Sequence, residues 1–577
     1  MDVSQAISGY ISKIVMSSGD TSSTKMKILL LDGETVSIVS TAVTQSSLLN
    51  HEVYLIDRLD NTGREKMRHL RCLCLLRPSS ESIQLLIDEL RDPKYGEYYL
   101  YFTNVVKKSS LERLAEADDH EVVKAVQEHF ADYTVINSDL FSLSISLPQW
   151  RIWGPNPDAW NADSLRRCSE GLLAVLLSLK KKPLIRYGKS SPLAKKLASE
   201  VRYLMSQEEQ LFEFRKVDTP PILLILDRRE DPVTPLLTQW TYQAMVHHLL
   251  GIHNGRVDLS NVPEIRPELR EIVLSQDQDP FFKKNMFLNF GDLGSTIKDY
   301  VEQYQSKTKN NANIESIADM KRFIEEYPEF RKLSGNVSKH VNLMSELSRR
   351  VSAQKLLEVS EVEQSLACND NHNTDLKNIQ NLIQTPDITA NAKVGLVALY
   401  ALRYHKQQSN AIPMLVDLLV AAGGVSPAQS SLVNKILAYH LSLHTSPSQG
   451  GISDMFDSAG IFSGASSRFK LKGVENVYTQ HTTLLESTLQ NLIKGRLREQ
   501  QYPFVEGGGS SRDKPQDVIV FIVGGATYEE AKMITGINAT TPGVRVVLGG
   551  TSILNAATFF NEVEDAVSSW PEVTGRR

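Results

Sequence analysis

The sequence predicts an α/β and α protein: two parallel-sheet α/β domains, the second discontinuous, with a large, mainly helical domain inserted into the second. Three observations predict it. Apolar runs of strand length alternate with amphipathic helical patterns over residues 1–135, as in a parallel sheet with helices on both faces. A second α/β stretch follows the Pro- and Trp-rich bridge 148–160, stops near 225 and resumes near 500. Between the two pieces the pattern is helical. Neither fragment alone has enough strands for a stable sheet, so together they form one domain. The boundaries are 1–135, 136–225 with 500–577, and 226–499, which divides into 226–355 and 356–499.

The elements follow from local pattern. MDVSQAISGYISKIV opens the chain as an amphipathic helix. Strands are expected at Met26–Asp32, Glu52–Ile56, His69–Leu76, Tyr98–Thr103 and Tyr133–Asn137, with helices at Ser80–Arg91, Ser110–Glu116 and His120–Phe130. In the second unit GLLAVLLSL is a buried helix, Leu184–Tyr187 a strand and Pro192–Gln207 a helix. PPILLIL (220–226) is apolar throughout, as a strand covered on both faces must be. Near the C-terminus, strands at Asp517–Val523 and Val544–Leu548 alternate with helices at Tyr528–Ile534 and Ile553–Val563. The Gly/Ser-rich stretches 446–467 and 505–516 are loops.

Composition narrows the function. Of 577 residues 41% are hydrophobic and 23% charged, and the net charge is -5. Nucleic acid is therefore not the expected partner. Cys72, Cys74, Cys168 and Cys368 are too few for a disulfide scaffold and have no zinc-site spacing. Strand alternation turns Cys72 and Cys74 to one buried face. No apolar run approaches the ~20 residues of a membrane span. The start lacks a signal-peptide core and the end a lipidation box. A cytoplasmic monomer that meets membranes through partners is expected.

The segment LILDRREDPVTP, ending at Pro235, is the strongest candidate for chemistry. A carboxylate at the end of a central parallel strand is where α/β enzymes place nucleophiles and metal ligands. Asp227 and Asp231 are four residues apart, however, where aspartyl phosphotransfer uses a gap of two. Asp227 with Arg228 or Arg229 is read first as a buried ion pair that fixes the turn. FIVGGATYEEAK (521–532) sets a glycine pair between strand and helix, with Thr527 and Glu530 as a capping box. No Walker or dinucleotide fingerprint accompanies it, and Gly549–Gly550 is read as a second tight turn. His247, His248 and His253 lack metal-ligand spacing. No cofactor or metal is expected. In the helical part, Ile317, Met320, Ile324 and Tyr327, then Val337, Val341, Met344 and Val351, recur at helical spacing. They form the seam of a helical hairpin with polar flanks, suited to a partner helix.

DRREDPVTPLLTQWTYQAMVHHLLGI (227–252) resembles the SM (Sec/Munc-type) family of regulators of SNARE-mediated membrane fusion. HLRCLCLLRPSSESI, DPKYGEYYLYFTNVVKKSSLERLAEAD, FRKLSGNVSKH, VIVFIVGGATYEEA and VRVVLGGTSIL agree with it, and LKGVENVYTQHTTLL (471–485) resembles one branch. The resemblance implies an arch-shaped three-domain protein without catalysis. Its partners are a Qa-SNARE of the endosomal or trans-Golgi syntaxin type and its SNARE complex, with a tethering or Rab-effector protein as a further partner. The branch serves traffic among Golgi, endosomal and vacuolar membranes. The resemblance also implies a pocket for the syntaxin N-terminal peptide. Phe102, Leu111, Leu114, Val122, Val126 and Phe130 form its apolar wall, with Glu112, Glu116, Asp118 and Asp119 facing a basic peptide residue. It further implies a SNARE-templating hairpin at 295–355 that bends at Pro328. Two other readings stand beside this one: a hydrolase or phosphotransfer enzyme centred on Asp227 and Asp231, and a passive helical tether.

Overall fold

The computed structural model describes residues 1–16, 26–215, 217–263, 265–312, 317–369, 371–443, 477–506 and 514–571; for 307–312 and 317–332 it describes the backbone alone. The loop 446–467, the centre of 505–516 and the start of 471–485 lie outside the described residues.

The first sheet is built from β1 (Lys27–Leu31), β2 (Val53–Arg58), β3 (Met67–Leu76), β4 (Tyr95–Phe102) and β5 (Val123–Glu128). Its order is β2-β1-β3-β4-β5 and every pairing is parallel. β3 shows why the run CLCLL is apolar throughout. Leu73 and Leu75 face a core that includes the N-terminal helix Val3–Met16, while Cys72, Cys74 and Leu76 face helices Ser80–Arg91 and Lys108–Ala117. The two thiols are buried 3.6 Å apart and unbridged.

One sequence expectation fails here. His120–Phe130 is not a helix; its centre is β5, with Leu100 beside Val126 and Phe102 beside Glu128. Val122, Val126 and Phe130 fit a helical spacing and a strand's alternation equally. The open edge of β4 offers a ladder to a segment rich in valine, and that decides it.

The second sheet joins distant parts of the chain. β6 (Thr134–Asn137), β7 (Leu140–Ser142), β8 (Leu184–Tyr187) and β9 (Ile222–Asp227) precede the helical insertion, which contains the small antiparallel pair β10 (Arg256–Asp258) and β11 (Glu271–Val273). β12 (Asp517–Val523), the two-residue β13 (Ala526–Thr527), β14 (Arg545–Gly550) and β15 (Ile553–Leu554) follow it. The order is β6-β7-β14-β12-β9-β8, so β12 lies parallel between β9 and β14. The expected strand Tyr133–Asn137 thus belongs to this sheet, antiparallel to β7 at its edge. Gly549 and Gly550 are the last residues of β14 rather than a turn. A Cβ at Gly549 would lie 2.0 Å from the Phe141 ring, which stacks on Phe521 at 6.3 Å. The glycine makes room for that ring pair.

The two sheets are locked together by charge. Arg77, at the end of β3, pairs with Glu34, Asp132 and Glu170, and Arg167 pairs with Glu34 and Asp132. The insertion contributes an antiparallel helical hairpin, Phe290–Ala312 and Ile317–Ala353, in which the Tyr304 hydroxyl lies 3.3 Å from Ser334 Oγ. A helical layer follows. Its central member, Ala390–Tyr404, is apolar on all sides from Val394 to Leu402 because neighbouring helices surround it there.

Candidate partner-binding surfaces

Three regions hold the residues singled out from sequence. The first is the β5 edge of the first sheet. Phe102 is fully buried and Leu114 nearly so, both in the core with Leu76, Ile83 and Leu86. They support the surface from beneath and are not part of a pocket wall. Leu111 and Val126 are exposed at 37% and 45%, and Val122 and Phe130 are half-buried. Val126 lies beside Leu100, whose side chain faces the core under Lys108–Ala117. Partners in a parallel ladder share a face, so Val126 lies on the helix's side of the sheet. Glu112, Glu116 and Asp119 are exposed. Asp118 accepts the backbone N–H groups of Val122 and Val123 at 2.9 and 3.0 Å and so shapes the turn into β5. Among the described residues the outer edge of β5 has no strand partner, which leaves a row of backbone donors and acceptors open.

The second region is the turn after β9. Asp227 is 2% exposed and accepts bonds from Arg229 (Nη2 2.7 Å, backbone N 2.9 Å) and from Ser191 Oγ at 2.5 Å. Arg228 is 1% exposed, donates to both Glu530 oxygens at 2.8 and 2.6 Å, and reaches the Gly525 carbonyl at 3.0 Å. The Arg229 guanidinium stacks over Trp153 at 4.6 Å. Asp231 accepts the backbone N–H and hydroxyl of Thr234 at 3.0 and 2.6 Å. Burial raises the Asp231 pKa, but the Arg228 charge and the Thr234 bonds outweigh burial and hold it below the usual carboxylate range. The free space beside these carboxylates is about 20 Å³, room for one water and no substrate. The glycine pair serves the same network. Gly524 and Gly525 have φ of +95° and +106°, and a Cβ on Gly524 would lie 2.8 Å from Arg228 Cβ. Thr527 and Glu530 close the capping box.

The histidines do not converge. His247 lies between the Ile553 carbonyl and the Ile252 N–H, with its pKa pulled to about 4 by burial, and His253 is exposed. Among the described residues no cluster of His, Cys, Asp or Glu has the geometry to hold a metal ion.

The third region is the hairpin. The structure divides the expected seam. Val351 sits in the core with Leu343 and Leu347, Met344 packs against that core and beside Gly294, and Val337 is 7% exposed. Of these four, Val341 alone is open, at 39%. The side chains of Ile317, Met320, Ile324 and Tyr327 lie outside the described residues. At Pro328, where a bend is expected, helix Ile317–Ala353 continues without a break. An interior proline costs about 3 kcal/mol, a deficit that a 37-residue helix bears where its remaining turns are intact.

Sequence reasoning missed the cluster at the hairpin's base. His340 is fully buried; its Nε2 lies 2.8 Å from Asp279 and its Nδ1 2.7 Å from the Tyr242 hydroxyl. Burial lowers the His340 pKa, offset in part by Asp279. The neutral ring then donates from Nε2 and accepts the tyrosine proton at Nδ1. Lys339 supplies the cation for Asp279. The only signal was the Lys339–His340 pair in FRKLSGNVSKH.

The topology, a helical insertion inside a discontinuous parallel sheet, defines the class. A model of the Sec1 family matches residues 27–562, and the chain belongs to that family. It is 50% identical over 571 residues to vacuolar protein sorting-associated protein 45 of Mus musculus, covering 98% of this chain and 96% of that protein. It is 50% identical over 568 residues to the Schizosaccharomyces pombe protein of the same name, covering 98% and 99%. The solved structure of the SM protein Vps45 in complex with the Qa SNARE Tlg2 (1-310) matches with a TM-score of 0.92 and 67% identity over 99% of both chains. Sly1p, solved with an N-terminal peptide of Sed5p, shares the fold at a TM-score of 0.75 and 18% identity, covering 99% of both chains. Among the described residues no helix is long and apolar enough to cross a membrane.

Proposed function

We propose that this chain is an SM regulator that binds a syntaxin-type Qa-SNARE and chaperones its assembly with partner SNAREs in endosomal, trans-Golgi and vacuolar transport. The observation that carries the reading is whole-length likeness, at 67% identity, to a Vps45 chain solved together with the Qa SNARE Tlg2. The chain acts by binding and makes or breaks no bond. The carboxylates at the β9 turn are saturated with donors and have no room for a substrate, which disfavours the hydrolase and phosphotransfer reading. Its place is the cytoplasmic face of Golgi, endosomal or vacuolar membranes, held there through SNAREs.

The β5 edge is the site we assign to the SNARE N-terminal peptide. Leu111 and Val126 offer exposed apolar contact, Val122 and Phe130 flank it, and Glu112 and Glu116 meet a basic peptide residue. The open strand edge can take an extended segment as an added strand. The test is calorimetry with the N-terminal peptide of this organism's Tlg2-type SNARE. Leu111→Arg places a charge on this exposed apolar spot and should weaken peptide binding at least tenfold with the melting curve unchanged. Unaltered affinity in a folded variant moves the peptide site elsewhere.

A further inference from the structure

The second sheet has another end, and it carries a different kind of charge. Strands β14, β12, β9 and β8 begin side by side, with Arg545 opposite Asp517, Val518 opposite Ile222, and Ile222 opposite Leu184. A cleft of about 480 Å³ opens at this edge. Ile493, Pro515 and Val544 give it an apolar lining; Lys494, Arg496 and Lys514 are exposed at it, and among the described residues no carboxylate lines it. Among the described residues the side chains of these three cations form no ion pair or hydrogen bond. They are not needed to cap the two helices that end here. Thr541 N–H reaches the Ile537 carbonyl, Arg496 N–H reaches that of Asn491, Gly495 N–H reaches that of Leu492, and Arg545 Nη1 reaches that of Asn538. The basic surface continues past the cleft. Lys181 pairs with Asp517 at 2.5 Å and Lys182 with Glu209 at 3.3 Å, while the exposed Lys180 precedes them in sequence. In a chain of net charge -5, three cations side by side at one cleft, Lys494, Arg496 and Lys514, are a steering field for anions.

We propose that this cleft docks an acidic segment of a partner protein, which seats an apolar side chain on Ile493, Pro515 and Val544 and sets carboxylates on Lys494, Arg496 and Lys514. The concave shape and the apolar lining favour a peptide over a lipid surface, since a bilayer meets a protein face that is flat or convex. The cleft lies on the second sheet and the β5 edge on the first, so the two can be occupied independently.

The experiment uses the full chain and a fluorescent synthetic peptide in which a Phe-Leu pair is flanked on both sides by Asp and Glu. Binding is read by anisotropy across a salt series, beside a peptide with Ser-Ser in place of Phe-Leu and beside vesicles rich in anionic lipid. Lys494→Glu/Arg496→Glu/Lys514→Glu should weaken peptide binding at least tenfold. A control with the same charge change elsewhere, Lys284→Glu/Lys377→Glu/Lys406→Glu, should weaken it less than threefold. The Ser-Ser peptide should bind several-fold more weakly than the Phe-Leu peptide, and SNARE-peptide affinity should stay unchanged in both variants. Equal losses in the two variants, or equal binding of the two peptides, would overturn the proposal. So would vesicle binding that the cleft variant alone abolishes, which would make the face a membrane contact.

Discussion

The two ends of the second sheet carry similar side chains to opposite effect. At the C-terminal end Asp227, Arg228, Arg229, Asp231 and Glu530 are all buried, and the closest pairs lie within 2.6–2.7 Å. At the N-terminal end Lys494, Arg496 and Lys514 stand in water beside an open cleft. The first arrangement exhausts its donors and acceptors on itself and pins β9 to the helix Tyr528–Thr540 across the insertion. The second keeps its charges available. Charge alone therefore says nothing about role; burial and pairing decide whether it holds the fold or meets a partner.

Removing one partner at the buried end should have the largest effect. Arg228→Met strands Glu530 and Asp231 in the core, and such a loss costs about 3–5 kcal/mol. Urea unfolding should show it as a lower midpoint. A change under about 1 kcal/mol would mean that water enters the turn and that the two ends do not differ as described. Asp227→Asn comes next, at about 1–3 kcal/mol, because it removes the charge facing Arg229 but keeps an acceptor for Ser191. Phosphatase activity in the wild type that this variant abolished would revive the enzyme reading.

Glu230 sharpens the comparison, for it is the buried end's one acid without a cation at bonding distance. Burial raises its pKa to about 7, against the opposing bond from Ser190. The native state then holds a proton between pH 4.5 and 7 that the unfolded state releases, so this group's contribution to stability falls as pH rises through that window. Glu230→Gln should therefore raise the melting temperature at pH 8, by the equivalent of about 3 kcal/mol at most, and leave it nearly unchanged at pH 5. A shift independent of pH would show that Glu230 stays ionised. The smallest effect belongs to the open end. The triple reversal of Lys494, Arg496 and Lys514 should move stability by no more than about 0.5 kcal/mol per site, measured by the same unfolding. A larger loss would make those cations structural.

Much of this was legible without coordinates. The run PPILLIL marked β9, and Asp227 at its end marked the turn. The period of RCLCLL put Cys72 and Cys74 on one buried face. The β5 edge was legible in composition but not in conformation, because Val122, Val126 and Phe130 satisfy two periods at once. Leu111 and Leu114 stand one helical turn apart, yet one is open and the other closed; only the position of the sheet beneath the helix separates them. The hairpin seam failed for the same reason, since Val337 and Val351 cover the molecule's own core and leave Val341 outside.

What the sequence by itself determined is therefore what depends on near neighbours: strand and helix period, caps such as Thr527 with Glu530, and the class of protein that the segments together resemble. Tertiary structure alone decided the rest, because those choices rest on groups far apart in the chain. Arg228 finds Glu530 across 302 positions and Lys181 finds Asp517 across 336. No local rule joins such pairs. They meet because β9 and β12 share a ladder, and that ladder forms only when the two halves of the second sheet close around the helical insertion.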